Sequence, residues 1–205
     1  MERLIIIGAG GHGKVAADIA IKLGTYKQIA FIDDNAVGEC MDLPVLGGMD
    51  CAKEYISGSA FFVAVGNSRA RERIMRALTD MGATVISLIH PGAIIGYGVE
   101  VGAGSMLAAG SVICPSVKIG RGVIVNTKGS VDHDCTVGDF SHVSVGATVA
   151  GNVRIGAHTW IGAGATVINN VEITDNCMVG AGAVVVKSIS ESGTYVGVPA
   201  KRIER

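Results

Sequence analysis

Among the 205 residues of this chain, His133 and His142 are the side chains best suited to remove a proton at neutral pH, because imidazole ionises near pH 6.5 and serves as a general base. Asp132, Asp134 and Asp139 are the acids near His133 that could raise its basicity. Adjacent residues of a strand point to opposite faces, so a His133–Asp134 hydrogen bond requires a corner between them, and Asp132 and Asp139 stand as substitutes. No Ser/His/Asp order and no activated cysteine argues for a covalent intermediate. Group transfer directly between two bound substrates is the simpler chemistry.

A second constellation begins at Gly8. The segment GAGGHG at 8–13 fits the GxGxxG spacing at Gly8, Gly10 and Gly13, a loop whose backbone N–H groups approach a phosphate at a helix N-terminus. His12 can hydrogen-bond the same phosphate. Twenty residues after Gly13, Asp33 and Asp34 can accept hydrogen bonds from a ribose or a base. Gly66 ends a third apolar run.

The elements that would hold these residues follow from apolar patterning. Strands are expected over 4–7, 28–32, 60–65 and 84–89, with helices over 14–23 and 68–81. This is a Rossmann-like α/β half-domain over residues 1–88, whose strand ends converge on one crevice. It is half of a full dinucleotide fold, so a single nucleotide suits it better than NAD.

From Ile89 to Val185 an aliphatic residue occurs at every sixth position without a break. A helix cannot place such residues on one face, because six residues rotate by about 600°. Four positions after each aliphatic stands a small or β-branched residue, among them Ser105, Ser111, Cys135, Ser141 and Ala165, which reads as a second inward position. Glycine often follows the aliphatic, as at Gly96, Gly102, Gly120, Gly138, Gly156, Gly162 and Gly180, suggesting corners with unusual backbone angles. Hexads of this kind stack into a parallel β-helix, expected over 89–205.

Composition narrows the partners. The formal net charge is −1, with no Lys/Arg cluster, so nothing builds the basic stripe that nucleic acid or an anionic membrane requires, and a small-molecule partner is expected. The apolar run at 4–7 is too short for a signal peptide or a membrane span, which points to the cytoplasm. Five cysteines without a CxxC or zinc-like spacing read as reduced thiols, with no metal.

Together GAGGHG at 8–13, FIDD at 31–34, AVGN at 64–67, HDCTVGDFSHVSVGA at 133–147, AGNVRIG at 150–156 and VGVPAKRI at 196–203 make the chain resemble, over essentially its whole length, a family of bacterial sugar acetyltransferases. That family includes UDP-4-amino-sugar N-acetyltransferases of bacillosamine synthesis and sialic acid O-acetyltransferases. The resemblance implies a left-handed β-helix with three hexads per coil, and a homotrimer with active sites between subunits. It implies that Gly10, Gly11 and His12 hold the diphosphate of a UDP-sugar, Asp33 and Asp34 its uridine, and Gly66 part of the nucleotide or sugar. It implies that His133 is the general base, strengthened by Asp134, and that acetyl-CoA contacts His142, Gly151, Ala163 and Ala181. Relatives acting on amino sugars often carry Glu where this chain has Asp134, which puts the role of that acid in question.

Spacing adds to this. With three hexads per coil, Gly151 falls directly above His133 and leaves space beside the imidazole, while Ala163 and Ala181 stack as the floor of a narrow groove. Asn126 fits two roles equally, orienting an acceptor sugar or ending a strand. The expected reaction is acetyl transfer from acetyl-CoA to the amino group of a UDP-linked 4-amino-4,6-dideoxy sugar. The rivals are O-acetylation of a sialic acid, an NAD-dependent oxidoreductase and a non-catalytic β-solenoid scaffold.

Overall fold

A computed structural model describes residues 1–204. The chain divides into two compact units, Met1–Pro91 and Gly92–Arg205.

In the first unit, the strands β1 (Arg3–Ile7) and β2 (Gln28–Ile32) flank the helix α1 (Gly11–Leu23) in sequence. A two-residue hairpin, β3 (Glu39–Cys40) with β4 (Leu43–Pro44), precedes β5 (Ser59–Val63). The helix α2 (Ser68–Asp80) and the strand β6 (Thr84–Val85) follow. The sheet has the order β2-β1-β5-β6 and its pairs are parallel. Its strands are near-continuous apolar runs because both faces of a parallel sheet are covered; Leu4, Ile5, Ile6, Phe31, Phe61 and Phe62 are fully buried.

Several boundaries differ from the sequence reading, most of them by one or two residues. The helix α1 begins at Gly11, not at 14, because Gly10 takes the extended N-cap conformation and its carbonyl accepts the Lys14 amide at 3.0 Å. Gly11 and His12 therefore lie in the first helical turn, where amides lack helical partners. The last apolar run divides into Thr84–Val85 and Leu88–Ile89.

The second unit is a parallel-strand β-solenoid built of two-residue strands. Ile94–Ile95, Val112–Ile113, Ser130–Val131, Thr148–Val149, Thr166–Val167 and Val184–Val185 stack as one face. A second face carries Glu100–Val101, Lys118–Ile119, Thr136–Val137, Arg154–Ile155 and Glu172–Ile173. A third carries Met106–Leu107, Ile124–Val125, His142–Val143, Trp160–Ile161 and Cys177–Val179. Partners in every column stand eighteen residues apart, so three hexads make one coil. At the C-terminal end Gly193–Val196 adds to the third face and pairs antiparallel with Lys201–Ile203.

Both inward positions are filled as the six-residue register requires. Ile113, Val125, Val131, Val143, Val149 and Ile161 are fully buried, and so are Ser105, Val117, Val123, Ala147 and Ala165. Buried hydroxyls in this column bond to the backbone of the neighbouring coil: Ser105 and Ser141 donate to the Gly120 and Gly156 carbonyls at 2.8 and 2.7 Å.

The corners work differently from the expectation. The glycines after the aliphatic positions do not have positive φ; the left-handed residues come two positions later, at Gly98, Gly104, Gly110, Ser116, Gly122, Lys128, Asp134, Phe140 and onward every six residues. Gly96, Gly102 and Gly138 are glycines because a Cβ there would fall 2.5–2.6 Å from backbone atoms of the next coil. Coil stacking, not backbone angle, selects them.

Candidate active site

His133 and Asp134 follow the strand Ser130–Val131 at the edge between the first and second faces. Asp134 occupies the left-handed position of its hexad, with φ 59°. That conformation supplies the corner that a strand lacks, and it turns the carboxylate back so that Asp134 Oδ2 lies 2.8 Å from His133 Nδ1. The other acids are engaged elsewhere. Asp132 accepts the His133 backbone amide at 2.7 Å, and Asp139 takes both the backbone amide and the guanidinium of Arg121 at 2.8–2.9 Å.

The hydrogen bond to Asp134 raises the His133 pKa above its ordinary value, with the nearby Asp132 and Asp134 charges acting in the same direction. Both side chains are well exposed, at 59% and 61%. The far nitrogen meets Gly151, where a built Cβ would stand 2.6 Å from His133 Nε2. The space expected beside the imidazole is thus occupied by the imidazole itself; any larger residue at 151 would push the ring away.

His142, in the third face, is brought to Asn126, whose Nδ2 lies 3.3 Å from His142 Nε2. Its ring stacks on Trp160, one coil above, with centroids 4.9 Å apart and planes 26° from parallel. The small exposed residues Ala163 and Ala181 follow the strands Trp160–Ile161 and Cys177–Val179, at the edge between the third and first faces. Within one chain, His133 with Gly151 and Asn126 with Ala163 and Ala181 therefore stand on two different edges of the solenoid.

In the first unit Gly8 has φ 104° and a Cβ on it would lie 2.9 Å from the Ala64 carbonyl oxygen, while a Cβ on Gly13 would collide with the Gly8 carbonyl. These are the demands of a tight turn and of close helix–strand packing. Gly10, Gly11 and Gly66 have open space at the Cβ position. Asp33 is committed to the chain: its carboxylate accepts the amides of Ala9 at 2.8 Å, Asn35 at 2.8 Å and Ala36 at 3.0 Å, and these bonds, led by that from Ala9, hold its pKa low. Asp34 accepts the Met49 amide at 2.8 Å. His12 Nε2 is buried without a hydrogen-bond partner, and burial, helped by the Arg71 charge, lowers the His12 pKa to about 4.

Residues 3–78 match the PglD N-terminal domain family, and residues 152–187 match the bacterial transferase hexapeptide family of six repeats. The acetyltransferase domain of PglB from Neisseria gonorrhoeae FA1090, solved in complex with acetyl coenzyme A, is 40% identical with a TM-score of 0.96, over 98% of this chain and 99% of that one. This chain belongs to the PglD-type hexapeptide-repeat sugar acetyltransferases. PerB from Caulobacter crescentus, in complex with CoA and GDP-perosamine, is 34% identical with a TM-score of 0.93, over 98% of this chain and 97% of that one. UDP-N-acetylbacillosamine N-acetyltransferase of Bacillus subtilis (strain 168) is 30% identical over 123 residues, 53% of this chain and 52% of that protein. Alignments with the curated relatives span 64% and 52% of those relatives' lengths.

Two residues of this acetyltransferase escaped the sequence reading. Arg71 is fully buried in α2, and its Nη1 donates to the Val65 and Gly66 carbonyls at 2.7 and 2.9 Å. In an amphipathic helix such an arginine reads as a surface residue; only the turn after β5, folded over it, makes it internal. Burial lowers its pKa to about 10, which leaves it charged at neutral pH. Trp160 occupies an outward strand position, and its being the single tryptophan of the chain was the signal available. Among the described residues, no group of three or more His, Cys, Asp or Glu side chains could hold a metal ion, and no helix is long and apolar enough to cross a membrane.

Proposed function

We propose that this chain transfers the acetyl group of acetyl-CoA to the amino group of a UDP-linked 4-amino-4,6-dideoxy sugar, with His133 as the general base. The observation that carries the reading is the His133–Asp134 bond of 2.8 Å, which makes His133 more basic and leaves Nε2 at the open edge of the solenoid. Nε2 removes a proton from the sugar amine as the nitrogen attacks the thioester carbonyl. The C–S bond then breaks, and the imidazolium returns that proton to the departing sulfur, giving the acetamide and free CoA. No acyl-enzyme is required.

His142, Gly151, Ala163 and Ala181 are the contacts proposed for acetyl-CoA, and Asn126 for the acceptor. Gly10, Gly11, His12 and Gly66 are proposed for the nucleotide-sugar, with Asp33 and Asp34 shaping the loop that receives it. The first-turn amides of α1 and the buried Arg71 charge beside His12 favour an anion there. Because His133 and the alanine pair stand on different edges of one solenoid, we read the complete site as formed between subunits of a homotrimer.

The GDP-perosamine bound by PerB supports a second reading, in which GDP replaces UDP. O-acetylation of a sialic acid, nicotinamide chemistry and a scaffold role find less support in the activities of the relatives. One experiment separates these: incubation with acetyl-CoA and a panel of UDP- and GDP-linked 4-amino-4,6-dideoxy sugars and free sialic acids, read by mass spectrometry. Acetylation of the UDP-amino sugar at nitrogen is expected. Preferential acetylation of the GDP-sugar selects the second reading, and a product only from sialic acid overturns both.

A further inference from the structure

We infer that Trp160 is a positioning residue for acetyl-CoA use, acting by fixing the orientation of the His142 ring; the inference rests on the proposed role of His142 as an acetyl-CoA contact.

The chain of contacts begins at Thr127. Its backbone amide donates to Asn126 Oδ1 at 2.8 Å, which fixes the oxygen of the Asn126 amide and leaves Nδ2 as the atom 3.3 Å from His142 Nε2. An amide NH2 only donates. His142 Nε2 therefore accepts, and the ring proton of the neutral imidazole resides on Nδ1. A proton on Nε2 would set two donors against each other.

A hydrogen bond at Nε2 holds the edge of an imidazole and does not by itself set the plane of the ring. The second constraint is Trp160, whose indole covers one face of the ring at 4.9 Å. The indole is itself pinned, because Trp160 Nε1 donates to Ser144 Oγ at 2.6 Å, and Ser144 is buried. Ser144 is held in turn by its amide, which donates to the Ile161 carbonyl at 2.9 Å.

The corner below has been cleared for this assembly. Gly129 takes the inward position that other hexads give to a small or β-branched residue, and a Cβ there would lie 3.0 Å from the Asn126 carbonyl oxygen and 3.3 Å from that of Ser144. Asn126, Ser144, His142 and Trp160 thus form one unit, in which the asparagine meets the edge of the imidazole and the indole covers a face of it. Trp160 is an outward residue, 38% exposed, with one ring face against His142.

The test is a double-mutant cycle between His142→Ala and Trp160→Ala, with Trp160→Phe as the variant that keeps the stack and drops the indole N–H. Initial rates give KM for acetyl-CoA and for the acceptor separately, and thermal unfolding is followed in parallel. Trp160→Ala is expected to lower kcat/KM for acetyl-CoA by about tenfold, the size of an aromatic pair's contribution, with the acceptor KM unchanged. Trp160→Phe should recover most of that loss. In the His142→Ala background, adding Trp160→Ala should cost less than about twofold, because the residue acts through His142.

Full additivity of the two losses, or an acceptor KM that rises as much as that for acetyl-CoA, would show a structural role and overturn the inference while leaving His142 an acetyl-CoA contact. Normal acetyl-CoA kinetics in His142→Ala would instead refute that contact, and the inference with it. If Trp160→Ala does not fold, Trp160→Leu, which keeps apolar bulk but removes the stack, carries the same cycle with His142→Ala, and additivity there is equally decisive against it.

Discussion

The two units use the same side chain in opposite ways. His12, in the first helical turn of the N-terminal unit, is buried next to a buried guanidinium, and its pKa falls to about 4. His133, on the rim of the solenoid, is exposed and hydrogen-bonded to a carboxylate, and its pKa rises. Burial and a like charge penalise the imidazolium, whereas a carboxylate favours it. His12 is consequently a neutral hydrogen-bonding group throughout the physiological range, and His133 is a group that can take up and release a proton. The difference fits the proposed division, in which the first unit binds and the second transfers a proton.

The sharpest break in this contrast comes from removing the proposed base. His133→Ala is expected to lose roughly a thousandfold in kcat, within the 10²–10⁴ range of general-base contributions, while keeping its fold and its affinity for acetyl-CoA. Steady-state rates together with circular dichroism check this. Loss of less than tenfold would move proton transfer to another group.

His12 is next. Its folded pKa of about 4 lies below the ordinary value of 6.5, so between these values the unfolded chain binds the proton more readily than the folded one. The stability tied to a neutral His12 is present above pH 6.5 and is lost as the pH falls towards 4. From pH 7 to pH 5 the wild-type chain should lose about 2 kcal/mol more than a His12→Gln variant. Urea unfolding of both proteins at the two pH values measures it. Equal pH dependence would mean that His12 is not held neutral.

For His133 the sign reverses. A general base must be neutral, so activity falls as the pH drops through the raised pKa of His133. Asp134→Asn removes the main cause of that rise and should carry the acid limb of the kcat/KM profile to lower pH, with roughly a tenfold lower plateau from the weaker base. An acid limb that stays in place would assign it to the acceptor amine rather than to His133.

Legibility in the sequence tracked how local each cause was. The six-residue register was visible because every hexad must bury its own aliphatic residue, and Val131, Val143 and Val149 are buried as that demands. Three hexads per coil came only from resemblance, since a period of six looks the same however many hexads make a turn; the pairing of Ser130 with Thr148 and of Val131 with Val149 is what displays it. The glycine after the aliphatic was misread, because a collision with the next coil leaves no trace in the local chain. The corner that joins His133 to Asp134 was legible in principle: Gly98, Gly104, Gly110, Ser116, Gly122 and Lys128 precede Asp134 at steps of six, a column rich in glycine. Arg71 and Trp160 were not legible, because their roles depend on carbonyls and rings that only the folded chain brings to them.

The smallest expected effect tests whether that corner or the carboxylate's reach sets the base. Asp134 holds a left-handed conformation at φ 59°, which aspartate and asparagine tolerate better than longer side chains do. Glutamate at 134 would keep the charge but add a methylene and a little backbone cost. Asp134→Glu should lower stability by roughly 0.5–1 kcal/mol, leave the acid limb where the native enzyme has it, and change kcat by less than about threefold. Thermal unfolding and a pH–rate profile on the same preparation decide it. If Asp134→Glu loses as much activity as Asp134→Asn, then the short aspartate, folded back by its left-handed corner, is what this chain's geometry requires.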